Sequence, residues 1–175
     1  MSKIIIVYST TDGHTQKICL RLQQIIEQQD HRVKLVSMSD NQDVDLKLFD
    51  KIVVGASIRY GNHSPQVYAF IKRNEAILQS RPNAFFSVNV VARKPEKCET
   101  TTNPYIKKFL KKSSWRPQEI AVFAGMINYQ KYNFMDRHLI RFIMLLTKGP
   151  THAKTAVEFT DWEKVDAFGQ RICQM

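Results

Sequence analysis

Residues 3–15 read KIIIVYSTTDGHT, an apolar run that passes directly into a stretch of small polar residues. The β-branched run at residues 3–8 is typical of a strand that is buried on both faces of a sheet. The polar stretch suits two different structures. Either Asp12 or Thr15 caps a helix that begins here, or the hydroxyl groups, the backbone N–H groups and Gly13 together hold a phosphate.

The composition is that of an ordinary globular protein. Of the 175 residues, 43% are hydrophobic and 24% are charged, and the length suits a single domain spanning residues 1–175. The three cysteines lack a CxxC spacing, so we expect free thiols, a reducing cytoplasm and no metal site. We also expect neither a secretory leader nor a membrane-spanning segment, because no apolar run is long enough.

Apolar runs alternate with helical patterns along the rest of the chain. Further strands are predicted at residues 32–37, 51–56, 84–91 and 120–124. Helices are predicted at about residues 15–28, after the cap signals Ser64-Pro65 and Asn103-Pro104, after Asp136 as a cap, and from residues 160–163 onward. This alternation predicts an α/β fold with a doubly wound, five-stranded parallel sheet of flavodoxin-like order 2-1-3-4-5.

Three loops follow the carboxyl ends of predicted strands, at residues 9–15, 57–63 and 92–97. In open α/β sheets, ligands bind beyond these ends, so we expect the three loops to line one crevice. A strand before the first loop and a helix after it favour phosphate binding over a simple cap. The chain lacks both the GxxxxGK[ST] and the GxGxxG patterns, which argues against a Walker loop and a dinucleotide fingerprint.

The net charge of +10 is unevenly distributed, with 12 basic and 4 acidic side chains in residues 92–148. We interpret two parts of this stretch, about residues 92–118 and 128–150, as a basic helical insertion. Such a charge indicates an anionic partner, and charge alone leaves a membrane surface, a nucleic acid and an acidic small molecule open. The helix predicted after Asp136 is apolar on most sides but too short to cross a bilayer.

The loop STTDGHT (9–15) resembles the FMN-phosphate loop of flavodoxins, [ST]-x-T-G-x-T, with one Asp inserted before the glycine. Four further segments extend the likeness over nearly the whole chain: GASIRYGNHS (55–64), SVNVVARKPEK (87–97), SSWRP (113–117) and FTDW (159–162). Together they resemble the menaquinone-dependent protoporphyrinogen oxidases of bacterial haem synthesis.

The resemblance implies one non-covalent FMN. Its phosphate would lie in the first loop, with the Asp12 side chain pointing away from it, and Ile58 or Tyr60 would lie against the flavin ring. The cofactor-binding residues implied in this way are Ser9, Thr10, Thr11, Asp12, Gly13, His14, Thr15, Ser57, Ile58, Arg59, Tyr60, Gly61, Ser87, Val88, Asn89, Val90, Ala92 and Arg93. For Tyr60 and Asn89, packing within the domain is an alternative interpretation.

The resemblance also implies an activity: FMN-dependent oxidation of protoporphyrinogen IX to protoporphyrin IX, with electrons passed to menaquinone or ubiquinone. Arg59, Arg93 and Lys94 are candidates for binding the substrate carboxylates, and no residue is assigned as an acid or base. A lipid-soluble acceptor favours peripheral docking on an anionic membrane surface, at the cytoplasmic face of the inner membrane. A homo-oligomer is compatible with the sequence.

Two alternatives remain from the sequence. A general flavodoxin-like quinone reductase or electron carrier would share the fold and the phosphate loop, although simple carriers of this fold are usually acidic. A nucleic-acid-binding module would explain the basic charge, but the aromatic-rich strand motifs of RNA-binding folds are missing, so we expect no nucleic-acid partner.

Overall fold

The computed structural model describes residues 1–40, 44–130, 132–152 and 156–175. Its strands are β1 (Lys3–Ser9), β2 (Arg32–Ser37), β3 (Lys51–Arg59), β4 (Asn62–His63), β5 (Asn83–Asn89), β6 (Glu119–Ala124), β7 (Met126–Asn128) and β8 (Ala156–Glu158). Its helices are α1 (His14–Glu27), α2 (Pro65–Arg73), α3 (Glu75–Ser80), α4 (Pro104–Lys112), α5 (Phe134–Leu146) and α6 (Trp162–Gln174).

Five of these strands form a parallel sheet in the order β2-β1-β3-β5-β6. Numbered by themselves, the five strands run 2-1-3-4-5, so the predicted flavodoxin-like topology is confirmed. The short β4 pairs antiparallel with the end of β3, and β7 and β8 form a separate antiparallel ribbon. Neither addition interrupts the central sheet.

The first strand shows why the apolar run is buried on both faces. Side chains alternate between the two faces of a strand. Ile4 and Ile6 therefore pack in the core beneath α1 and α6, whereas Ile5 and Val7 pack in the opposite core beneath α2, α3 and α4. Covering both faces with helices is what a parallel sheet requires.

The opposite core is rich in aromatic rings. Phe85 of β5 and Phe109 of α4 stack with their ring centroids 4.0 Å apart, and Trp115 meets both rings edge to face. All three side chains are fully buried. These contacts fix α4 on the sheet, so its apolar face belongs to the core and its lysines face solvent.

Most predicted helix starts are confirmed. Ser64, Asn103 and Asp161 each cap a helix by accepting hydrogen bonds from backbone N–H groups of the first turn. The prediction that Asp136 caps its helix is wrong. Asn133 is the cap, and its side chain accepts from the N–H of Asp136 at 2.8 Å, which leaves the carboxylate of Asp136 available for other contacts.

The two basic segments differ structurally from one another. Residues 92–118 lie between β5 and β6, so the helix α4 is the crossover helix that connects these two neighbouring strands of the sheet. Residues 128–150 contain α5 and lie between the two strands of the antiparallel ribbon, outside the central sheet. Among the helices that the structure describes, none is long and apolar enough to cross a membrane.

Candidate functional site

A cavity of about 310 Å³ lies at the carboxyl ends of β1, β3, β5 and β6. Ligand sites of open α/β sheets occur at this edge, and the volume is within the usual range for small-molecule pockets. The loops after these strands form its floor and sides. Tyr105 of α4 and one face of α5 complete the wall.

The loop at residues 10–13 leads into the start of α1. Gly13 has a φ of 85°, in the left-handed region, and a Cβ added there would meet open space. Its N–H donates to the hydroxyl of Thr10 at 3.1 Å, which fixes the turn. As the N-cap residue, Gly13 supplies no side-chain acceptor to the first turn of the helix. The first N–H groups of α1 therefore have no side-chain cap, and His14 and Thr15 of this first turn line the cavity, an arrangement that suits an anion.

Thr15, in the first turn of α1, strengthens this interpretation. Its side chain is 1% exposed and lines the cavity, and its hydroxyl oxygen has no hydrogen-bond partner among the residues that the structure describes. A buried hydroxyl without a partner is costly. A phosphate held at the helix terminus would satisfy it.

The inserted Asp12 forms an ion pair with Arg59, with 3.1 Å between Oδ2 and Nη1. The other terminal nitrogen of Arg59 binds the carboxylate of Asp136 on α5. This arginine therefore joins the first loop, the end of β3 and α5. It also lies over the rings of Tyr60 and Tyr132, with its guanidinium carbon 5.3 Å from each ring centroid. Asp12 is thus balanced by a neighbouring cation.

Tyr60 and Gly61 form the tip of a two-residue hairpin between β3 and β4. Both have positive φ, 49° and 73°, as required by the turns that join two antiparallel strands most tightly. The Tyr60 ring is 63% exposed, and its hydroxyl donates to Asp136. This hydrogen bond, opposed by partial desolvation and reinforced by Arg59, holds the pKa of Asp136 below its ordinary value.

The end of β5 is organised by side chains that bond to one another. Asn89 lines the cavity, but its amide oxygen accepts from the N–H of Ala92 at 3.1 Å and from the side chain of Asn103 at 3.2 Å. Ser87 lies beneath it and bonds to His63 at 2.9 Å. Burial lowers the pKa of His63 to about 4, so this imidazole is neutral.

His14 is the one histidine on the cavity wall in the part of the chain that the structure describes. The hydroxyl of Thr160 donates to the carbonyl of Ala124 at 2.8 Å, so it accepts from Nε2–H of His14 at 2.6 Å. Burial lowers the pKa of this imidazole, which favours its neutral form. The second ring nitrogen, Nδ1, is then an acceptor.

The structure gives Arg93 internal partners. Its guanidinium donates to the carbonyl of Val90 at 3.2 Å and to the carbonyl and hydroxyl of Thr147 at 3.1 and 2.9 Å. It therefore ties the end of β5 to the C-terminal end of α5. Arg59 is engaged as described above, and Lys94 does not line the cavity. Substrate binding by these three residues stays a prediction.

Thirteen of the residues predicted as cofactor-binding line the cavity, and Ser9, Gly13, Ser87, Ala92 and Arg93 do not. Sequence reasoning missed the residues that come from the end of β6, from β7 and from α5. They are Gly125, Met126, Ile127, Tyr132, Leu139, Ile140, Ile143 and Met144, together with Val91 and Tyr105. The rule that strand ends meet at one edge predicts Gly125, but no sequence signal places α5 over that edge.

Comparison with known proteins agrees with this geometry. A family profile for the flavodoxin domain matches residues 5–154. Oxidised Flavodoxin 1 from Bacillus cereus superposes with a TM-score of 0.57, covering 99% of this chain and 98% of that one, at 15% identity. A flavodoxin from the domain Archaea gives 0.52, covering 98% and 96%, at 16% identity. At such identities the structures show the fold alone. The fold and the site define a protein of the flavodoxin class.

Two curated relatives narrow that class. The protoporphyrinogen IX dehydrogenase [quinone] of Leishmania major is 43% identical over 167 residues, which cover 95% of this chain and 72% of that protein. The protein of the same name from Escherichia coli K12 is 38% identical over 173 residues, covering 99% and 96%. The chain therefore belongs to the family of quinone-dependent protoporphyrinogen IX dehydrogenases, which are oxidoreductases. The resemblance found in the sequence is confirmed.

Membership in the flavodoxin family also confirms FMN as the predicted cofactor. The residues present fit this group. The N-terminus of α1 and the partnerless hydroxyl of Thr15 suit its phosphate, and the apolar and aromatic side chains of Ile58, Tyr60 and Val88 suit a flat ring system.

Proposed function

We propose that this chain oxidises protoporphyrinogen IX to protoporphyrin IX with FMN as its cofactor and a membrane quinone, menaquinone or ubiquinone, as the electron acceptor. The observation that carries the proposal is the identity of 38% to 43% with relatives of that name over nearly the whole chain. The cavity supports it, because an anion-binding helix terminus and an apolar wall suit a flavin nucleotide.

The stoichiometry follows from the substrate and product. The conversion removes six electrons and six hydrogens, so three quinone molecules, each gaining two electrons and two protons, balance one porphyrinogen. Bound FMN supplies the capacity to take up two electrons at a time and to pass them to the quinone. Each molecule of protoporphyrinogen IX therefore requires three successive two-electron oxidations.

In this proposal, residues of the chain bind the cofactor, form the sides of the reaction site and shield that site from water. The loop at residues 10–15 would hold the cofactor phosphate, and the hairpin tip at Tyr60 would form one side of the reaction site. Leu139, Ile140 and Ile143 of α5 would exclude water from it and present an apolar surface to a macrocycle or a quinone. Nδ1 of His14 is an acceptor on the same wall, at a position where a proton could be received.

An anaerobic assay tests this function. Purified protein loaded with FMN is mixed with protoporphyrinogen IX and a soluble menaquinone or ubiquinone analogue, and the fluorescence of protoporphyrin is followed. Fluorescence that rises only when both quinone and FMN are present supports the proposal. A protein that reduces quinones with NAD(P)H but forms no protoporphyrin would instead be a general quinone reductase.

We further propose that the protein docks peripherally on an anionic membrane surface, at the cytoplasmic face of the inner membrane. The support lies in α5, whose apolar side chains are largely uncovered. Phe134, Met135, Phe142, Leu145 and Leu146 are 58% to 80% exposed. Patches of this kind on a helix too short to span a bilayer are typical of interfacial helices. The free thiols of all three cysteines fit a reducing compartment.

Basic side chains flank this apolar face. Arg141 and Lys148 are exposed on and just after α5, and α4 presents Lys107, Lys108 and Lys111 to solvent on the other side of the cavity. Each basic residue near an anionic surface contributes about 1 kcal/mol to binding. Both helices contribute side chains to the cavity wall, so we expect a docked protein to bring the cavity close to a lipid-dissolved quinone.

Vesicle co-sedimentation tests the docking. We expect binding to vesicles containing phosphatidylglycerol that weakens with salt, and little binding to pure phosphatidylcholine. Leu146→Ser should lower binding at least about fivefold, whereas Leu48→Ser should leave it unchanged. The two leucines are matched in exposure, at 68% and 66%, but Leu48 lies far along the chain from α5. Equal partitioning to both kinds of vesicle would contradict the proposal.

A further inference from the structure

Helix α5 forms one wall of the cavity and is attached to the rest of the protein mainly near its two ends. Among its residues only Asp136, near the N-terminal end, and Met144, near the C-terminal end, are buried. Between them, Leu139 and Ile143 line the cavity yet are 44% and 41% exposed. Of the residues between them, Ile140 is half-buried and packs against the small core around Tyr129, so few apolar contacts hold the middle of the helix.

The C-terminal attachment is partly apolar. Met144 packs with Ile127, Tyr129 and Tyr132 in a small core of its own, separate from the two cores of the sheet. Arg93 adds hydrogen bonds to the carbonyl and the hydroxyl of Thr147. This end is held by several independent contacts.

Two charged side chains make the N-terminal attachment: Arg137 donates to the backbone carbonyl of Tyr129 at 3.0 Å, and Asp136 makes the contacts toward the cavity. Asp136 is 6% exposed and accepts from the guanidinium of Arg59 and from the hydroxyl of Tyr60. Arg59 in turn pairs with Asp12 of the phosphate loop. A single side chain of α5 is thus connected to the hairpin tip directly, and to the phosphate loop through one intervening residue.

The hairpin tip needs such support. Tyr60 is not a glycine but has a φ of 49°, a conformation that costs a residue with a Cβ about 1 kcal/mol or more. Its ring is mostly exposed, so packing contributes little to holding it in place. The hydrogen bond to Asp136 and the guanidinium of Arg59 over the ring are the contacts that fix its orientation.

We propose that Asp136 is a positioning residue that latches α5 over the cavity and, by holding Tyr60 and Arg59, retains and orients FMN bound beneath it. The inference rests on the FMN binding of the proposed function but not on the identity of the substrate. Asp136 does not touch the reacting atoms in this scheme. It acts through Tyr60, which lines the cavity, and through Arg59, which lies between the two carboxylates.

The test uses the FMN-loaded protein and three readouts: the rate of FMN dissociation, the visible circular dichroism of the bound flavin, and hydrogen exchange in residues 134–146. Asp136→Asn should speed FMN dissociation at least about tenfold, because it removes a hydrogen-bonded charge, and should accelerate exchange in α5. The flavin bands should also change, because a neutral amide holds Tyr60 and Arg59 less strongly than a carboxylate does. A purely structural effect on α5 would leave those bands unaltered.

Asp166→Asn is the matched control. Asp166 also pairs with an arginine, Arg21, through two hydrogen bonds at 2.7 and 2.5 Å, but it joins α1 to α6 away from the cavity. We expect this variant to keep the FMN dissociation rate and the flavin bands of the unmodified protein.

Tyr60→Phe separates the effects of the two donors to Asp136, since it removes the hydroxyl of Tyr60 and leaves Arg59 in place. We expect a smaller rise in FMN dissociation than in Asp136→Asn, and it carries the test if the latter does not fold. A dissociation rate and flavin bands unchanged in the folded variants would overturn the proposal. None of these readouts requires porphyrinogen turnover, so failure of the proposed activity would be seen separately.

Discussion

Two helices of nearly equal length, α1 and α5, line the same cavity but are held in opposite ways. Helix α1 buries Thr15, Ile18, Cys19, Leu22 and Ile26 against the sheet. Helix α5 buries only Asp136 and Met144 and leaves most of its apolar side chains exposed. One helix is thus part of the core, and the other is attached to it by its ends. The loop that we propose to hold the cofactor phosphate leads into the first helix, and the second helix forms one wall of the cavity.

This difference predicts that equal truncations have unequal effects on stability. Leu22→Ala in α1 removes a fully buried side chain and should lower the free energy of unfolding by about 2–5 kcal/mol. Leu145→Ala in α5 removes a side chain that is 67% exposed and should change it by less than about 0.5 kcal/mol. Urea unfolding of both variants measures the contrast. Similar losses in the two would mean that α5 is part of the global core after all.

The stability of the sheet and its core should also depend on pH, because of His63. His63 is buried beside Ser87, and burial lowers its pKa to about 4 from an ordinary value of 6.5. Below pH 6.5 the unfolded chain binds a proton that the folded protein does not, so stability falls as the pH drops from 6.5 toward 4. Between pH 7.5 and 5.0 this one residue should cost about 2 kcal/mol.

Comparison with His63→Gln isolates this contribution, because glutamine does not take up the proton. The loss of unfolding free energy between pH 7.5 and 5.0, measured by urea titration at each pH, should be smaller in the variant by about that amount. An identical pH dependence in the two proteins would show that the imidazole is not held neutral.

The smallest expected effect concerns the helix caps. Asn133 caps α5 and Asp161 caps α6, each through its side chain. Replacing either with Ala should cost about 1 kcal/mol of helix stability. Because α6 is packed in the core through Val165, Phe168 and Ile172, Asp161→Ala should lower the global unfolding midpoint. Asn133→Ala should leave that midpoint nearly unchanged and speed hydrogen exchange within α5. A lower midpoint in both variants would remove the distinction drawn between the helices.

The core and the position of the loop at residues 9–15 were predictable because their sequence signals are local. The inner strands of the sheet are short apolar runs, and β2 at the edge alternates polar and apolar residues. A polar loop between a strand and a helix marks the ligand edge. The predicted and observed bounds of β2 coincide, and the caps Ser64 and Asn103 are read directly from neighbouring residues.

The role of α5 was not predictable in the same way. Its apolar residues give the same pattern whether they face a core, a cavity or solvent, so the sequence does not place the helix over the strand ends. The ion pair between Arg59 and Asp136 joins residues that are 77 positions apart, so no local sequence pattern predicts it. The sequence pattern therefore suggests Asp136 as a cap, whereas its carboxylate binds Arg59 and Tyr60.

The narrow ribbon of β7 and β8 bears on how such a protein can be remodelled. Asn128 and Ala156 are paired across the ribbon, so the segment between them, which contains α5, begins and ends at adjacent points of the fold. A short turn in place of residues 129–155 would close the ribbon without shifting any strand of the sheet. Exchanging this segment would keep the strands of the central sheet but would remove one wall of the cavity and the carboxylate that holds Arg59 and Tyr60.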